Sequence, residues 1–576
     1  MNRNVESHFA LSPTSIDIGR SQFDRSSGIK FTGNVGDLIP FYVDEVLPGD
    51  TFKVTTSKVV RLQTLLHPIM DNMYLDTYFF YVKMIDIWDH AANFFGESAK
   101  AWTPTVEYRI PKINITQAGL GHPHPGVGSL ADYMGIPLGV ATDTASGQNP
   151  KGGINALPFR AYAKVCNDWF RPESLCDELV IPTGDADVDI NAKSASDLYC
   201  AYGGPVFKAC KYHDYFTSAL PAPQCGPSVA IPTTGVLAPV GTYDRISKTY
   251  SSLINRTSLK FDDANNHTFT QGDHNLLLDV ATAGQSGKLF AKNTGESSTS
   301  SGSSLYPENL WADLTNSFGT INALRQAFQV QKFYEKLSRG RRYVEILKAQ
   351  FGITAPDAEL HRSEYLGGNR IPINVNEVTN NSKDASNYLG DLGAMSRTND
   401  VHADFVHSFT QHGYIIGVCV IRYDHSYPQG LERFWQRTTP FDFYWPVFAN
   451  IGEQAVRRGE ICFTVNGDGD EFSTFGYQEY AAEYRYKPSR VAGLLRPEAS
   501  GSLASWHLGD YYDQTDPSTT GPFLSDSWIR EDKTNVDRTL AVTSSVSDQF
   551  LADFYIQNIC TRVMPMYSIP GLADHH

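Results

Sequence analysis

The stretch MYLDTYFFYV, Met73 to Val82, carries apolar side chains at both odd and even positions. A strand with one wet face alternates apolar and polar residues, whereas a strand apolar on both faces lies between two packed layers. The segment upstream, LIPFYVDEVLPGDTFKV (Leu38 to Val54), ends one apolar run, turns at Pro48-Gly49-Asp50 and resumes with alternating Phe52 and Val54. Far downstream, GYIIGVCVIRY (Gly413 to Tyr423) is rich in β-branched residues, and Ile461 to Val465 and Phe550 to Val563 read the same way. Strands at both ends of the chain, with long material between them, predict a mainly β sandwich closed by distant segments.

The bulk numbers agree with a large folded protein. Hydrophobic residues make up 41% of the 576 and charged residues 19%, outside the range of disordered chains. Aromatics at 12% favour pleated surfaces and broad packed interfaces. Lys plus Arg number 48 against 63 Asp plus Glu, a formal net charge of -15. That balance excludes a protein held to nucleic acid mainly by counterion release. In the first thirty residues Arg3, Arg20, Arg25 and Lys30 are offset by Glu6, Asp17 and Asp24, so no basic arm is present. Contact with nucleic acid is therefore expected to be local, or delegated to another protein. The opening MNRNVESHFALSPTSIDIG lacks the apolar stretch of a signal peptide, and no run reaches the ~18 apolar residues of a membrane span, so no membrane insertion is expected. Eight cysteines without a CxxC pair read as free thiols of a reducing cytoplasm; the shared ten-residue step of Cys166/Cys176 and Cys200/Cys210 has no evident physical reason.

Two middle regions break the β pattern. Between Gly226 and Ser304, 35 of 79 residues are Ser, Thr, Gly or Asn, and the charges cancel at six of each sign. The stretch ends in TGESSTSSGSS (Thr294 to Ser304), which cannot bury a face. Residues 226–304 thus read as a surface insertion, with short strands of its own such as Asn275 to Val280, between two parts of one β domain, 1–225 and 305–576. Directly after it, Leu324, Ala327, Phe328, Val330, Tyr334 and Leu337 form an apolar stripe at helical spacing. Arg325, Lys332, Lys336 and Arg339 lie opposite, and Gly340 ends the helix before Arg341 and Arg342. From Arg325 to Lys348 seven basic residues face only Glu335 and Glu345. This region is the candidate for phosphate contact on an inner surface, with Tyr334 and Tyr343 as possible stacking platforms or core; the bland alternative is a solvated face or pairing with acids of another subunit.

Catalytic and metal motifs are absent. No GxSxG, Walker A, HExxH or spaced Cys/His cluster occurs. NGDGDE (Asn466 to Glu471) alternates oxygens like a calcium loop, yet Glu471 and Tyr477 stand where the turn glycine and the bidentate glutamate belong. DADVD (Asp185 to Asp189), the turn holding His122 and His124, and the set His412, Asp424 and His425 are read as structural rather than as metal or acid–base sites. No cofactor is expected, and the chain is not read as an enzyme.

Longer motifs add a resemblance. SQFDRSSGIKFTGNVGDLIPFYVDEVLPGDTFKV (Ser21 to Val54), HPIMDNMYLDTYFFYV (His67 to Val82), YFTSALPAPQCG (Tyr215 to Gly226), the run from Leu324 to Gly368, QHGYIIG (Gln411 to Gly417), FDFYWPVFANIGEQAV (Phe441 to Val456), FGYQEYAAEYRYKPSRVAG (Phe475 to Gly493), WHLGD (Trp506 to Asp510) and YSIPGLADHH (Tyr567 to His576) together resemble the major capsid proteins of Microviridae, in the gokushovirus branch. The pattern departs at Cys225, Arg341 and Gln411, where the family often carries a basic residue, a glycine and a glutamate. The resemblance implies a viral eight-stranded antiparallel jelly roll with large loop and helical insertions. It implies self-assembly into a T=1 icosahedral virion shell around circular single-stranded DNA, assembled in the bacterial host cytoplasm. Implied partners are a small basic DNA-binding protein, an internal scaffolding protein and a DNA-pilot protein, and the insertion at 226–304 would form a three-fold protrusion meeting a host receptor. Two rival readings are a secreted carbohydrate-active sandwich, which needs a facing carboxylate pair and an export signal, and a sequence-specific DNA-binding protein, which the net charge opposes.

Overall fold

A computed structural model of the chain describes residues 19–97, 108–114, 127–137, 153–189, 200–229, 240–244, 249–250, 261–263, 274–278, 289–293, 305–307, 310–312, 321–338, 340–381, 389–463, 472–512 and 522–567. His122, His124, Arg339, the Asn466–Glu471 loop and the serine-rich run 294–304 lie outside them.

Eight strands build the frame: β1 (Ser21–Asp24 continuing as Ser27–Gly33), β2 (Ile39–Val46), β3 (Thr51–Leu62), β4 (Met73–Lys83), β5 (Glu364–Pro372), β6 (Thr398–Ser408), β7 (Gly413–Tyr423) and β8 (Phe550–Arg562). They pair antiparallel into two sheets, β1-β8-β3-β6 and β2-β7-β4-β5. This is the strand order of an eight-stranded jelly roll, in which each sheet draws on both ends of the chain. The expected turn closes β2 onto β3, and Gly49 takes the positive φ of +89° that the reversal demands.

The core lies between the sheets, where Phe41 of β2 meets Phe79 of β4 at 5.3 Å and Phe554 of β8 at 5.1 Å, both edge to face. The doubly apolar reading of β4 has a direct cause. Phe79 and Tyr81 enter this core, while Phe80 and Val82 pack outward into a second one. That second core is roofed by α1 (Leu157–Val165), tied down by the Tyr162 hydroxyl donating to the Leu38 carbonyl at 2.6 Å. Among the described residues the first sheet has no such roof: along β8 buried residues alternate with exposed ones, including Leu551 and Tyr555.

Two connections carry most of the remaining mass, the one from β4 to β5 and the one from β7 to β8. Contacts divide the chain into two units, Met1–Pro223 with Leu337–His576, and Gln224–Lys336. The smaller unit contains short antiparallel pairs, among them His274–Leu278 with Leu289–Asn293. The predicted helix forms as α2 (Ile321–Ser338), and α3 (Tyr343–Phe351) follows, ending at Gly352 in the left-handed region.

Three local expectations need correction. The strand read at Ile461 to Val465 is not formed over Ile461 to Phe463: the Arg458 carbonyl accepts from both Ile461 and Cys462, which curls the backbone into a helical turn. Phe328, which the helical spacing places in the apolar stripe of α2, sits at its margin and is 58% exposed. Tyr343 opens α3 on its exposed side.

Candidate functional site

The sequence-derived basic residues fall into distinct environments. Arg325, Lys332 and Lys336 are exposed on α2 at spacings of seven and four, which place them on one face. Ile321 and Phe328 are exposed on that same side, so the face mixes cations with apolar rings. The opposite side holds the less exposed Val330, Tyr334 and Leu337, with Leu324 at the boundary between the two. Arg341 is exposed, and its backbone N–H donates to Glu173 at 3.2 Å. Arg342 is different: its guanidinium donates to the carbonyls of Asn167 (3.2 Å) and Arg171 (2.9 Å) and pairs with Glu173 at 3.4 Å. That side chain holds the start of α3 in place, which leaves little of it for an outside phosphate.

Those residues weighed for metal or acid–base chemistry that the structure describes serve structure. His412 stacks on Phe95 with ring centroids 3.9 Å apart, at one end of β7, and His425 follows the other end, so the two cannot share a site. Asp185 accepts from the Trp88 indole at 2.6 Å and pairs with His90, and Asp187 accepts from the Lys112 backbone. Among the described residues no group of three or more His, Cys, Asp or Glu is placed to hold a metal.

His425 instead centres a buried charge cluster. Its side chain is 2% exposed, with Nδ1 2.7 Å from Asp510 and Nε2 2.8 Å from Glu531. Carboxylates only accept, so an imidazole bonded to one at each nitrogen must carry both protons. Burial alone would push its pKa down, but the two carboxylates overcome this and raise it to about 9. Asp510 also takes Lys211 at 2.8 Å and the Asn535 amide at 3.0 Å. Burial pushes its carboxyl up, yet Lys211 and His425 hold it well below the usual carboxylate range. The cluster joins the end of β7 to three separate loop segments, and it is a structural clamp.

The surface offers a feature that the sequence reading passed over. From 433 to 451 the chain runs through three single-turn helices, Arg433–Gln436, Pro440–Asp442 and Pro446–Phe448. Trp435, Phe441, Phe443, Tyr444, Trp445, Val447 and Ile451 are all between 45% and 82% exposed. The backbone beneath them is firmly held. Asp442 accepts from the amides of Thr438 (2.9 Å) and Thr439 (2.7 Å), bonds that lower its pKa to about 2. The Trp445 indole donates to the Pro440 carbonyl at 2.8 Å, Arg437 pairs with Glu483 at 3.3 Å, and Arg433 donates to the Ala455 carbonyl at 2.8 Å. A rigid loop that keeps seven large apolar side chains in water is the signature of a docking surface. The signal was available in the sequence: five aromatics in the eight residues Phe441 to Phe448, with Pro446 among them and no period-two alternation.

Comparison with known proteins gives one consistent result. The sequence model of a family described as Capsid protein (F protein) matches residues 12–572. Three relatives, each a capsid protein VP1, are similar over nearly their whole length. That of Chlamydia phage 1 is 36% identical over 99% of this chain and 98% of its own. That of Spiroplasma virus 4 is 37% identical over 94% and 93%, and that of Bdellovibrio phage phiMH2K 35% over 99% and 98%.

Proposed function

Since the chain belongs to the capsid protein (F protein) family, a structural family of Microviridae phages, we propose that copies of it dock through the exposed aromatic segment 433–451 to build an icosahedral shell around circular single-stranded DNA. The observation that carries this reading is the rigid apolar loop on a frame that needs none of it for its own core. Burying a large apolar side chain contributes about 1.5–3 kcal/mol, so several per contact outweigh the cost of association once symmetry repeats the contact around a shell. Imaging of purified protein by negative stain tests the proposal, with closed particles expected and persistent monomers against it.

The exposed cationic face of α2 is the proposed DNA contact. Three charges suit a sequence-independent, salt-sensitive grip on phosphates, and they are too few to neutralise a genome within a subunit of net charge -15. A separate basic protein supplies the rest in this scheme, with scaffolding and DNA-pilot proteins as further partners. Reversing Arg325, Lys332 and Lys336 to glutamate should lower the DNA content of particles several-fold at unchanged shell yield, read from the 260/280 absorbance ratio of purified particles. Equal DNA content would reduce this face to solvated surface.

The insertion at 226–304 is proposed as the host-attachment element, because its composition suits a solvent-facing knob. Replacing residues 224–304 by a short linker should preserve shells and abolish adsorption to host cells. Failure of shells to form would make the insertion part of the assembly contact instead.

A further inference from the structure

Inside the jelly roll, where a purely apolar lining would be expected, β3 carries a lysine. Lys58 has a fully buried side chain, and its amine donates to Thr77 Oγ1 at 2.9 Å and to the side-chain carbonyl of Asn369. The Asn369 amide nitrogen donates in turn to Asp400 Oδ2 at 2.8 Å, and the same oxygen lies 3.7 Å from Lys58 Nζ. Thr77 Oγ1 is 3.0 Å from Asn369 Oδ1. Amine, carboxamide, carboxylate and hydroxyl thus meet at one point.

Strand register puts them there. Lys58 is the direct cross-strand partner of Asp400 in the first sheet, and Thr77 that of Asn369 in the second. The two pairs meet where edge strands β5 and β6 approach each other. Gly367 and Gly368 permit the approach: a Cβ on Gly367 would lie 2.2 Å from the Asp404 carbonyl oxygen, and one on Gly368 2.0 Å from that of Thr77. Only a pair without side chains lets β5 deliver Asn369 this close.

We infer that Lys58 and Asn369 form an intramolecular isopeptide bond, with Asp400 relaying the proton. The neutral amine of Lys58 attacks Cγ of Asn369, forming the new C–N bond. One proton passes from Nζ through the Asp400 carboxylate to Nδ2, the original C–N bond breaks, and ammonia leaves. No oxidant or cofactor enters the balance, and Asp400 ends as it began. The Thr77 hydroxyl stabilises the oxygen that gains charge during the attack. Burial lowers the pKa of the Lys58 amine, favouring the reactive neutral form, while Asp404 and Asp400 oppose that shift. Exclusion of water from the fully buried amine favours aminolysis of the carboxamide over its hydrolysis. The bond would bolt one sheet to the other between residues 311 positions apart.

Mass spectrometry of the denatured full-length protein from purified particles tests this. The expected mass is lower than the sequence mass by one ammonia, and proteolysis should yield a branched peptide joining Lys58 to Asn369. Asp400→Ala and Lys58→Arg should each restore the full mass and two separate peptides. A wild-type protein at full sequence mass, with unbranched Lys58 and Asn369 peptides, overturns the inference without any variant having to fold. So does an ammonia deficit that persists in Lys58→Arg, because that would mark a succinimide at an asparagine.

Discussion

Phe441→Asp and Trp445→Asp, introduced together, should give a folded subunit that no longer forms particles. Neither ring contributes to the three buried clusters, so the thermal transition of the isolated subunit should stay within a few degrees of wild type. In a contact between copies the same positions would bury two unpaired carboxylates, each costing several kcal/mol, and would lose about 2 kcal/mol of apolar burial apiece. Affinity at that contact should fall by more than three orders of magnitude. Sedimentation velocity separates the outcomes: a single slow species supports the assignment, and particles at normal yield would move the assembly surface elsewhere. Phe448, whose exposure is lower, is the fitting control and should have a smaller effect.

A second large effect is expected at His425. Its folded pKa of about 9 lies above the unfolded value near 6.5, so its stabilisation is complete below about pH 6.5 and is lost as pH rises through 9. A difference of that size corresponds to about 3 kcal/mol. Asp510 has the opposite sign: depressed in the fold, it stabilises above about pH 4, and that contribution disappears as pH falls. Stability should therefore plateau between about pH 4 and 6.5 and decline towards pH 9. His425→Gln removes the cation that faces Glu531, while Lys211 still serves Asp510. The variant should lose about 3–5 kcal/mol at pH 6 in denaturant titrations, and its decline between pH 6.5 and 9 should flatten. Parallel pH profiles for the two proteins would show that the imidazole is neutral in the fold.

Much of the frame could be read from local pattern because local pattern is what fixes it. Met73 to Val82 is apolar on both faces because two cores flank it, and the bounds of Gly413 to Tyr423 coincide with those of β7. The helix after the insertion was equally plain, since its stripe and its glycine stop are local signals. The misread strand at Ile461 has a physical source. Ile461 is as buried and β-branched as a strand residue, but a bond to the Arg458 carbonyl, not its own preference, decides its backbone. The site was less legible. Charge runs are visible in one dimension, so the run that leaves Arg325, Lys332 and Lys336 exposed on one face stands out in the sequence, whereas the internal use of Arg342 depends on Glu173 and the carbonyl of Asn167, far away in the chain. Lys58 and Asn369 are ordinary residues in sequence and acquire meaning only when two sheets bring them together.

The pairing order of the first sheet has a consequence for synthesis. Among the described strands, both segments of β1 pair only with β8, which also lies between β1 and β3. At about 5–20 residues per second a ribosome needs roughly half a minute to two minutes between making Ser27 and its partner Ile556. Throughout that interval the nascent chain has half a sandwich and an open seam, which invites chaperones. The last strand to emerge is the one that closes it, so a growing polypeptide cannot enter a particle before translation has delivered β8.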